Sequence, residues 1–176
     1  MLFNSLEFIV FFALVITTIV VIKNRKFQHL FLLAASYFFF IFSSNYLVSL
    51  LIFSTVLDFY IAQEIWKSTD SKKKKRLLII SIMGNLGLLG FFKYTDFGIS
   101  QFNSIAIALG QPEIPLLNII LPIGISFYTF QTLSYTIDVY RGNLEPSKSF
   151  KEFALFVAFF PQLVAGPIVR AKVFLP

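Results

Sequence analysis

The polar side chains of one largely apolar stretch, LPIGISFYTFQTLSYTIDVYR at 121–141, are the best candidates for chemistry in this chain. They include Tyr128, Gln131, Thr132, Tyr135 and Asp138, which at about 100° per residue lie within roughly one third of a helix circumference. Hydrocarbon offers no hydrogen-bond partners, so such a stripe must face protein or trapped water. The stretch therefore predicts an inner helix whose polar face lines a functional cavity or bonds to neighbouring helices.

The overall composition indicates that this helix lies in a membrane. The 176-residue chain is 57% hydrophobic and 18% aromatic, with a mean hydropathy of +0.78. Charged residues make up 14% of the chain, against about 25% in a soluble domain. A soluble protein could not bury this much apolar surface, so the predicted fold class is all-α integral membrane. The chain contains no Cys, which excludes a thiol nucleophile and a thiolate metal site.

Four apolar runs predict membrane-spanning helices, at 6–22, 27–42, 46–62 and 77–92. The less apolar stretch 96–110 is predicted to lie along the membrane interface. Pro122 and Gly124 predict a kink or a break in the polar-striped helix. The run 153–160 is too short to span, and with the Ala-Gly-Pro at 165–167 it predicts a re-entrant segment that returns to its starting side.

The net charge of +6 is better explained by membrane topology than by nucleic-acid binding, because the Lys and Arg residues lie in short loops beside apolar runs. If the N-terminus is outside, the basic stretches 23–26, 67–76 and 141–151 all fall in the cytoplasm, and Lys93 lies outside. The charge bias therefore predicts a multi-pass protein with an outside N-terminus. The lipid bilayer is the expected partner, and no nucleic acid is expected.

Three further features predict packing and topology more than chemistry. Asp58 is expected to face the bundle or to lie near the interface beside Glu64 and Trp66, and the interfacial position without chemistry is favoured. The run KSTDSKKKKR at 67–76 predicts a cytoplasmic anchor, with an anionic-lipid headgroup site as the alternative. The glycines at positions 84, 87 and 90 predict close packing between helices.

No catalytic or metal-binding constellation is complete in the sequence. The one histidine, His29, lies beside a basic loop without a Ser or Cys partner in its segment, and an interfacial position is predicted for it. There is no HExxH motif, no Gly-rich phosphate loop and no cluster with metal-ligand spacing. We therefore expect no catalytic residue and no metal ligand within residues 1–176.

Four motifs, in chain order, resemble the membrane-bound O-acyltransferase family. They are MLFNSLEFIVFF at 1–12, FFKYTDF at 91–97, LPIGISFYTFQTLSYTIDVYRG at 121–142 and FFPQLVAGPIVR at 159–170. Within the family they are most similar to the bacterial alginate O-acetylation proteins, and more distantly to the D-alanyl transferases of teichoic acid. The resemblance runs along the whole chain, and its last two motifs are long and specific.

The resemblance implies a multi-helix bundle with re-entrant or broken helices around a funnel, in the bacterial inner membrane. It implies that an acyl group, expected to be acetyl from acetyl-CoA with no bound cofactor, passes from the cytoplasm towards an exported polysaccharide through periplasmic acetylation partner proteins. The residues expected to line the funnel are Tyr128, Gln131, Tyr135, Asp138, Arg141, Gln162 and Arg170. A structural role is an equal alternative for each.

Members of the family are several hundred residues long, and their signature histidine lies on a later helix. The resemblance therefore implies that residues 1–176 are one transmembrane domain, the N-terminal portion of a longer one, with the catalytic histidine beyond Pro176. Two alternatives stay open. One is a non-enzymatic membrane subunit of a polysaccharide export or modification machine, and the other is an inactive product of an incomplete reading frame.

Overall fold

Helices form most of the chain. The computed structural model describes residues 5–44, 47–165 and 170–174, and this part of the chain contains no β-strand. The helices are α1 (Leu6–Val21), α2 (Arg25–Ser44), α3 (Val48–Lys67), α4 (Ser71–Ala108), α5 (Ile125–Tyr140), α6 (Phe150–Ala158), α7 (Phe160–Ala165) and α8 (Ala171–Phe174). Within the described residues, α2, α3 and α4 are long and apolar enough to cross a membrane, and α1 is a shorter apolar helix. The predicted all-helical membrane fold is confirmed.

The second and third predicted spans are longer than the apolar runs that predict them. α2 starts at Arg25, so basic residues of the predicted loop form its first turn. Its 20 residues span about 30 Å, enough to cross the hydrocarbon core. α3 likewise continues past the predicted end at Ala62 to Lys67. Asn45 and Tyr46, which belong to the predicted turn and span between these helices, lie outside the described residues.

α4 is one helix of 38 residues where the sequence predicts a basic loop, a span and an interfacial segment. Asp70 caps it by accepting a hydrogen bond from the Lys72 N–H at 2.8 Å. The lysine run continues the helix because Lys and Arg are good helix formers, and this leaves only residues 68–70 as a loop. Residues 96–108 therefore continue α4 and do not form a separate segment, while their position relative to the membrane interface stays a prediction. At 1.5 Å per residue, α4 is about 57 Å long.

After α4 the chain returns along the helix as an irregular segment at 111–122. The helix ends in a glycine turn: Gly110 has a φ of +69°, and the Gln111 N–H donates to the Ala106 carbonyl oxygen at 2.8 Å. We call the C-terminal part of α4 together with this returning segment, residues 93–122, the arm.

Two polar side chains of α4 hold the returning segment of the arm. The Asn103 amide donates to the Ile114 carbonyl oxygen and accepts from the Ile114 N–H, both at 2.8 Å. The Asp96 carboxylate accepts hydrogen bonds from the N–H groups of Leu117 and Ile119, at 2.9 and 2.8 Å. The side chains of one helix thereby satisfy backbone groups of a segment that is neither helix nor strand.

α5 begins only at Ile125, so Pro122 and Gly124 precede the helix and do not kink it. Gly124 has a φ of +75°, a left-handed conformation that favours glycine and turns the chain into the helix. The predicted break inside a helix over 121–141 is therefore wrong. The apolar residues before Ile125 belong to the arm and to the turn that follows it.

The predicted re-entrant segment contains a break deep in the bundle. Residues 153–158 of α6 are all buried. The helix then stops at Phe159, and α7 begins one residue later. Further along, the ring of Phe174 lies 5.4 Å from that of Phe156, and Lys172 lines the same pocket as Glu152 near the start of α6. The described parts therefore follow the predicted return. Gly166 and Pro167 lie outside the described residues.

The basic loops gather at one end of the bundle, which we call the basic end. Gln63 near the end of α3 donates to the Ser147 carbonyl oxygen, ahead of α6, at 2.7 Å. The short loop 68–70 leads from the end of α3 to the lysine run that begins α4. Lys26 at the start of α2 and Lys151 at the start of α6 line one pocket. The ends of four helices thus meet where most of the positive charge lies.

Candidate functional site on α5

α5 is an inner helix, as its polar stripe predicts. Tyr128 is 1% exposed, and Gln131 and Tyr135 are fully buried. The helix packs against α3, α4 and α6, whereas Phe130 on its other side is 49% exposed. Leu133 is also buried although it lies away from the polar stripe, because neighbouring helices cover most of the helix circumference.

A buried carboxylate connects α5 to the two helices beside it. Asp58 lies midway along α3 and is fully buried. It accepts hydrogen bonds from the Ser81 hydroxyl and, at 2.8 Å, from the Asn85 amide nitrogen, both on α4. The Asn85 amide oxygen accepts a hydrogen bond from the Thr132 hydroxyl of α5 at 3.4 Å. We call Asp58, Ser81, Asn85 and Thr132 the polar clamp.

The polar clamp corrects the favoured prediction that Asp58 is interfacial. A carboxyl group in an apolar interior is costly unless it is hydrogen-bonded, and Ser81 and Asn85 supply these bonds. Because the partners lie on different helices, the clamp sets how α3, α4 and α5 face one another. Its role in the described structure is therefore to position the inner face of α5.

Close helix packing occurs at one of the three glycines that predict it. A Cβ atom on Gly84, one residue before Asn85, would lie 2.8 Å from the Leu57 side chain of α3. Gly87 and Gly90 have open space at the corresponding position, so the close-packing prediction is wrong for these two. The tight contact between α3 and α4 thus coincides with the polar clamp.

Tyr135 joins α5 to the basic end. Its hydroxyl accepts a hydrogen bond from the Ser147 N–H at 3.0 Å, and its ring lies 4.4 Å from that of Phe153. The Ser147 carbonyl oxygen accepts from Gln63, as described above. Tyr135 therefore holds the loop before α6 against the bundle and has a structural partner for its polar atom.

Gln131 joins α5 to the interior end of α6. Its amide nitrogen donates to the Phe156 carbonyl oxygen at 2.8 Å, which satisfies one of the last carbonyl groups of that helix. On the other side of the break, the Phe160 N–H donates to the Ser36 hydroxyl of α2 at 3.3 Å. The backbone at the break is thus satisfied by side chains of the helices around it, as irregular backbone at membrane depth requires.

Three polar atoms of α5 are buried without a hydrogen bond among the described residues. They are the hydroxyls of Tyr128 and Thr136 and the amide oxygen of Gln131, and Tyr128 and Gln131 lie one turn apart. Natural proteins leave few such atoms unpaired, and those that occur often bind water or a ligand. A phenol that can donate and an amide oxygen that can accept are together suited to a polar ligand that carries a hydroxyl or a carbonyl group.

Comparison with known proteins identifies the family of this chain. No protein-family model and no solved structure matches it. It is 43% identical to the probable alginate O-acetylase AlgI of Pseudomonas aeruginosa over 126 residues, which are 70% of this chain. It is 40% identical to the probable alginate O-acetylase AlgI of Azotobacter vinelandii over 119 residues, which are 67% of this chain. It is 36% identical over 151 residues, 72% of this chain, to the peptidoglycan O-acetyltransferase of Helicobacter pylori. The chain belongs to the membrane-bound O-acyltransferase family.

The chain spans about a quarter of the length of the curated relatives it matches, since the aligned parts are 24% of the two alginate O-acetylases and 28% of the peptidoglycan O-acetyltransferase. The part of the membrane-bound O-acyltransferase fold seen here is therefore a helical region with a polar interior. What the relatives act on is a property of much longer proteins.

The structure does not bring all seven residues predicted for the family's funnel to one place. Tyr128, Gln131 and Tyr135 share the buried face of α5. Asp138 is half-buried further along it, and Arg141 is exposed at its end. Beyond α5, Gln162 is buried on α7, while Arg170 is exposed just before α8. Of the seven, Tyr128 and Gln131 are the two that the described structure shows with a buried, unpaired polar atom, and Gln131 also contacts the end of α6.

The surroundings of His29 differ from those of Tyr128 and Gln131. It is exposed, one turn into α2, and lines a pocket at the basic end with Lys151. The position agrees with the prediction that His29 is not a substitute for the family's signature histidine. The described polar interior therefore consists of hydroxyl, amide and carboxyl groups.

The partners of Asp58 were missed by sequence reasoning. Ser81 and Asn85 lie four residues apart in the apolar run that forms α4, so they share one helix face. Two polar residues at that spacing in a spanning helix must face protein. That signal, set beside the single Asp of the preceding span, could have predicted the polar clamp.

Proposed function

We propose that this chain forms the N-terminal helical part of a membrane O-acetyltransferase that passes an acetyl group from a cytoplasmic donor, acetyl-CoA, towards an exported polysaccharide. The observation that carries the proposal is the 36–43% identity to alginate and peptidoglycan O-acetyltransferases over about 70% of the chain. The names of these relatives agree on the transferred group and differ in the glycan. The proposal therefore names acetyl as the transferred group and describes the acceptor only as an exported polysaccharide.

Two features of the interior support a place for substrate on the inner face of α5, where Gln131 contacts the end of α6. The Tyr128 hydroxyl and the Gln131 amide oxygen are buried polar atoms with free hydrogen-bonding capacity within the described structure. Helices that end inside a membrane protein expose backbone dipoles to bound molecules near the bilayer centre. On this proposal the pair contacts the acyl group or the acceptor hydroxyl on its way through the bundle, and the other predicted lining residues extend the path.

The charge distribution supports an orientation with the basic end in the cytoplasm and the N-terminus outside, in a bacterial inner membrane. The basic end carries the residues of the 23–26 and 67–76 stretches together with the loop before α6. Lys93 lies at the opposite end, with its amine 3.5 Å from the Ser126 hydroxyl at the start of α5. A reporter fused between Thr69 and Ser71 should therefore read out as cytoplasmic, and a periplasmic readout would overturn the orientation.

General-base chemistry needs a group within hydrogen-bond reach of the acceptor hydroxyl. His29 is exposed at the basic end and is a poor candidate for this role. We therefore propose that the catalytic histidine is contributed from outside residues 1–176, and that periplasmic partner proteins complete transfer to the polysaccharide. Replacing such a histidine should abolish acetylation while membrane expression is kept.

The sharpest test on this chain is Tyr128→Phe in the full-length protein, scored by the acetyl content of the polysaccharide in a strain that lacks the native gene. The substitution removes only a hydroxyl without a described partner, so the fold should be unaffected, and acetylation should fall about tenfold or more if that hydroxyl contacts substrate. The matched control is Phe130→Ala on the exposed side of the same helix, which should leave acetylation unchanged. Full acetylation by Tyr128→Phe would remove this residue from the proposed path.

A non-enzymatic membrane subunit of a polysaccharide export or modification machine is the second candidate. In that case the polar interior serves passage or assembly, and catalysis resides on another chain. Replacing the proposed catalytic histidine in the full-length protein, with its periplasmic partner proteins present, decides between the two. Loss of acetylation with membrane expression kept supports the enzyme, and retained acetylation supports the subunit.

A further inference from the structure

A cleft at the basic end has the composition of a binding site and is not used by the proposed transfer path. It lies between the start of α2 and the start of α6 and has a volume of about 510 Å³. That volume is within the range of pockets that hold small ligands. We call it the basal cleft.

The basal cleft is lined by lysines that form no ion pair with any residue in the described part of the chain. Lys26 from α2 and Lys151 from α6 approach it from two sides, and His29 lies one turn after Lys26. Glu152 is the one acidic residue of its lining. The same Glu152 borders a second pocket, which is lined by Lys148 and Lys172 and also by Glu145. The linings of the two pockets together contain four lysines and two glutamates, so lysine is in excess over glutamate there.

The apolar neighbours of these cations indicate where the cleft lies in the membrane. Phe27 and Leu30 also line it, and they are 53% and 51% exposed on α2. Lysine side chains at the end of a spanning helix extend to the headgroup layer, while the apolar residues beside them face acyl chains. A basic pocket between helices at this depth suits a phosphate group that carries hydrocarbon.

We propose that the basal cleft binds a phosphate ester, held by Lys26 and Lys151, with the phosphate of an anionic membrane lipid as its source. The exposed Phe27 and Leu30 favour a lipid over a soluble phosphate ester, which would need no apolar contact. The site is distinct from the basic run at 67–76, which lies on α3 and α4. The proposal needs only a membrane-embedded bundle, so it stands if the transferase proposal fails.

The test is native mass spectrometry of the full-length protein purified in detergent and titrated with phosphatidylglycerol or phosphatidylcholine. The wild-type protein should prefer phosphatidylglycerol, and Lys26→Gln/Lys151→Gln should lose roughly tenfold in affinity for it. Lys72→Gln/Lys75→Gln removes the same charge from exposed positions outside the cleft and should keep the preference. Lys26→Arg/Lys151→Arg should restore binding, since the charge is kept.

A third arm distinguishes the two sources of phosphate. Adenosine 3′,5′-bisphosphate is added to protein saturated with phosphatidylglycerol. Failure to displace the lipid supports a lipid headgroup site. Displacement that depends on Lys26 and Lys151 keeps the phosphate site but assigns it to a soluble phosphate ester. Equal lipid affinity in the wild type, the cleft variant and the control variant overturns the proposal.

Discussion

Asp58 and Asp96 show how differently one residue type is used in the bundle and in the arm. Asp58 is fully buried, and its partners are side chains of α4, which is linked in turn to α5. Asp96 is half-buried, and its partners are the backbone N–H groups of Leu117 and Ile119, in the segment that follows its own helix. The first aspartate joins separate helices, and the second shapes a local return of the chain.

This comparison indicates which hydrogen bonds contribute most to the stability of the fold. At Asp58 no water can replace a lost partner, so each unpaired group would bear its full desolvation cost. Leu117 is exposed, so the backbone groups that Asp96 binds are less enclosed by protein than the partners of Asp58. Removing Asp58 should therefore lower the free energy of unfolding more than removing Asp96 does, although each aspartate accepts two hydrogen bonds.

Asp58→Ala should have the largest effect. It leaves the Ser81 hydroxyl and the Asn85 amide without their acceptor in a buried site, and we expect a loss of about 3 kcal/mol in the free energy of unfolding. Thermal or denaturant unfolding of the purified protein in one detergent, followed by circular dichroism, measures it. Asp58→Asn keeps the shape and one oxygen acceptor, so its loss should be clearly smaller.

Gly84→Val should come next, with a loss of about 2 kcal/mol, because its side chain would overlap that of Leu57 at the contact between α3 and α4. Gly87→Val, three residues along the same helix, meets open space and is the matched control. If both variants unfold at the same temperature, close packing at Gly84 does not contribute to the clamp.

Asp96→Ala should cost about 1 kcal/mol or less and should act locally. Hydrogen exchange is the suitable measurement: the amides of Leu117 and Ile119 should exchange faster, while those around Asp58 keep their protection. Loss of global stability comparable to that of Asp58→Ala would contradict the distinction between bundle and arm.

Gly98→Ala should have the smallest effect and the opposite sign. Gly98 lies within the helical part of the arm with nothing near its missing Cβ. Alanine is the better helix former by about 1 kcal/mol at most, so the arm should become slightly more stable. Slower amide exchange over residues 94–106, with unchanged unfolding of the bundle, is the expected result.

Sequence patterns predict the parts of this fold that a membrane dictates. The stripe on α5 is predictable because every polar group in hydrocarbon must face protein, and the short run at 153–160 is predictable as a non-spanning segment by length alone. The candidate pair Tyr128 and Gln131 follows from the same periodicity. The features that distinguish the pair are its unpaired buried atoms and the contact of Gln131 with the end of α6, and both depend on packing between helices distant in sequence.

The errors arise where local preference outweighs the membrane pattern. Lys93 and Asp96 end the fourth apolar run, yet α4 continues because its backbone bonds are local and the following residues allow a helix. Pro122 and Gly124 suggest a broken helix but form the turn before one. Asp58 looks interfacial until its partners 23 and 27 residues away along the chain are known.

The length of α4 has a mechanical consequence. Asn85 in the polar clamp and Ala108 at the end of the helix are about 35 Å apart along its axis. A rigid tilt of α4 by roughly 10° about Asn85 would displace Ala108 by about 6 Å. Because Asp96 and Asn103 bond the returning segment to the helix, that segment would move with it. The side chains of the polar clamp, which set the angle between α3 and α4, would therefore also set the position of the arm.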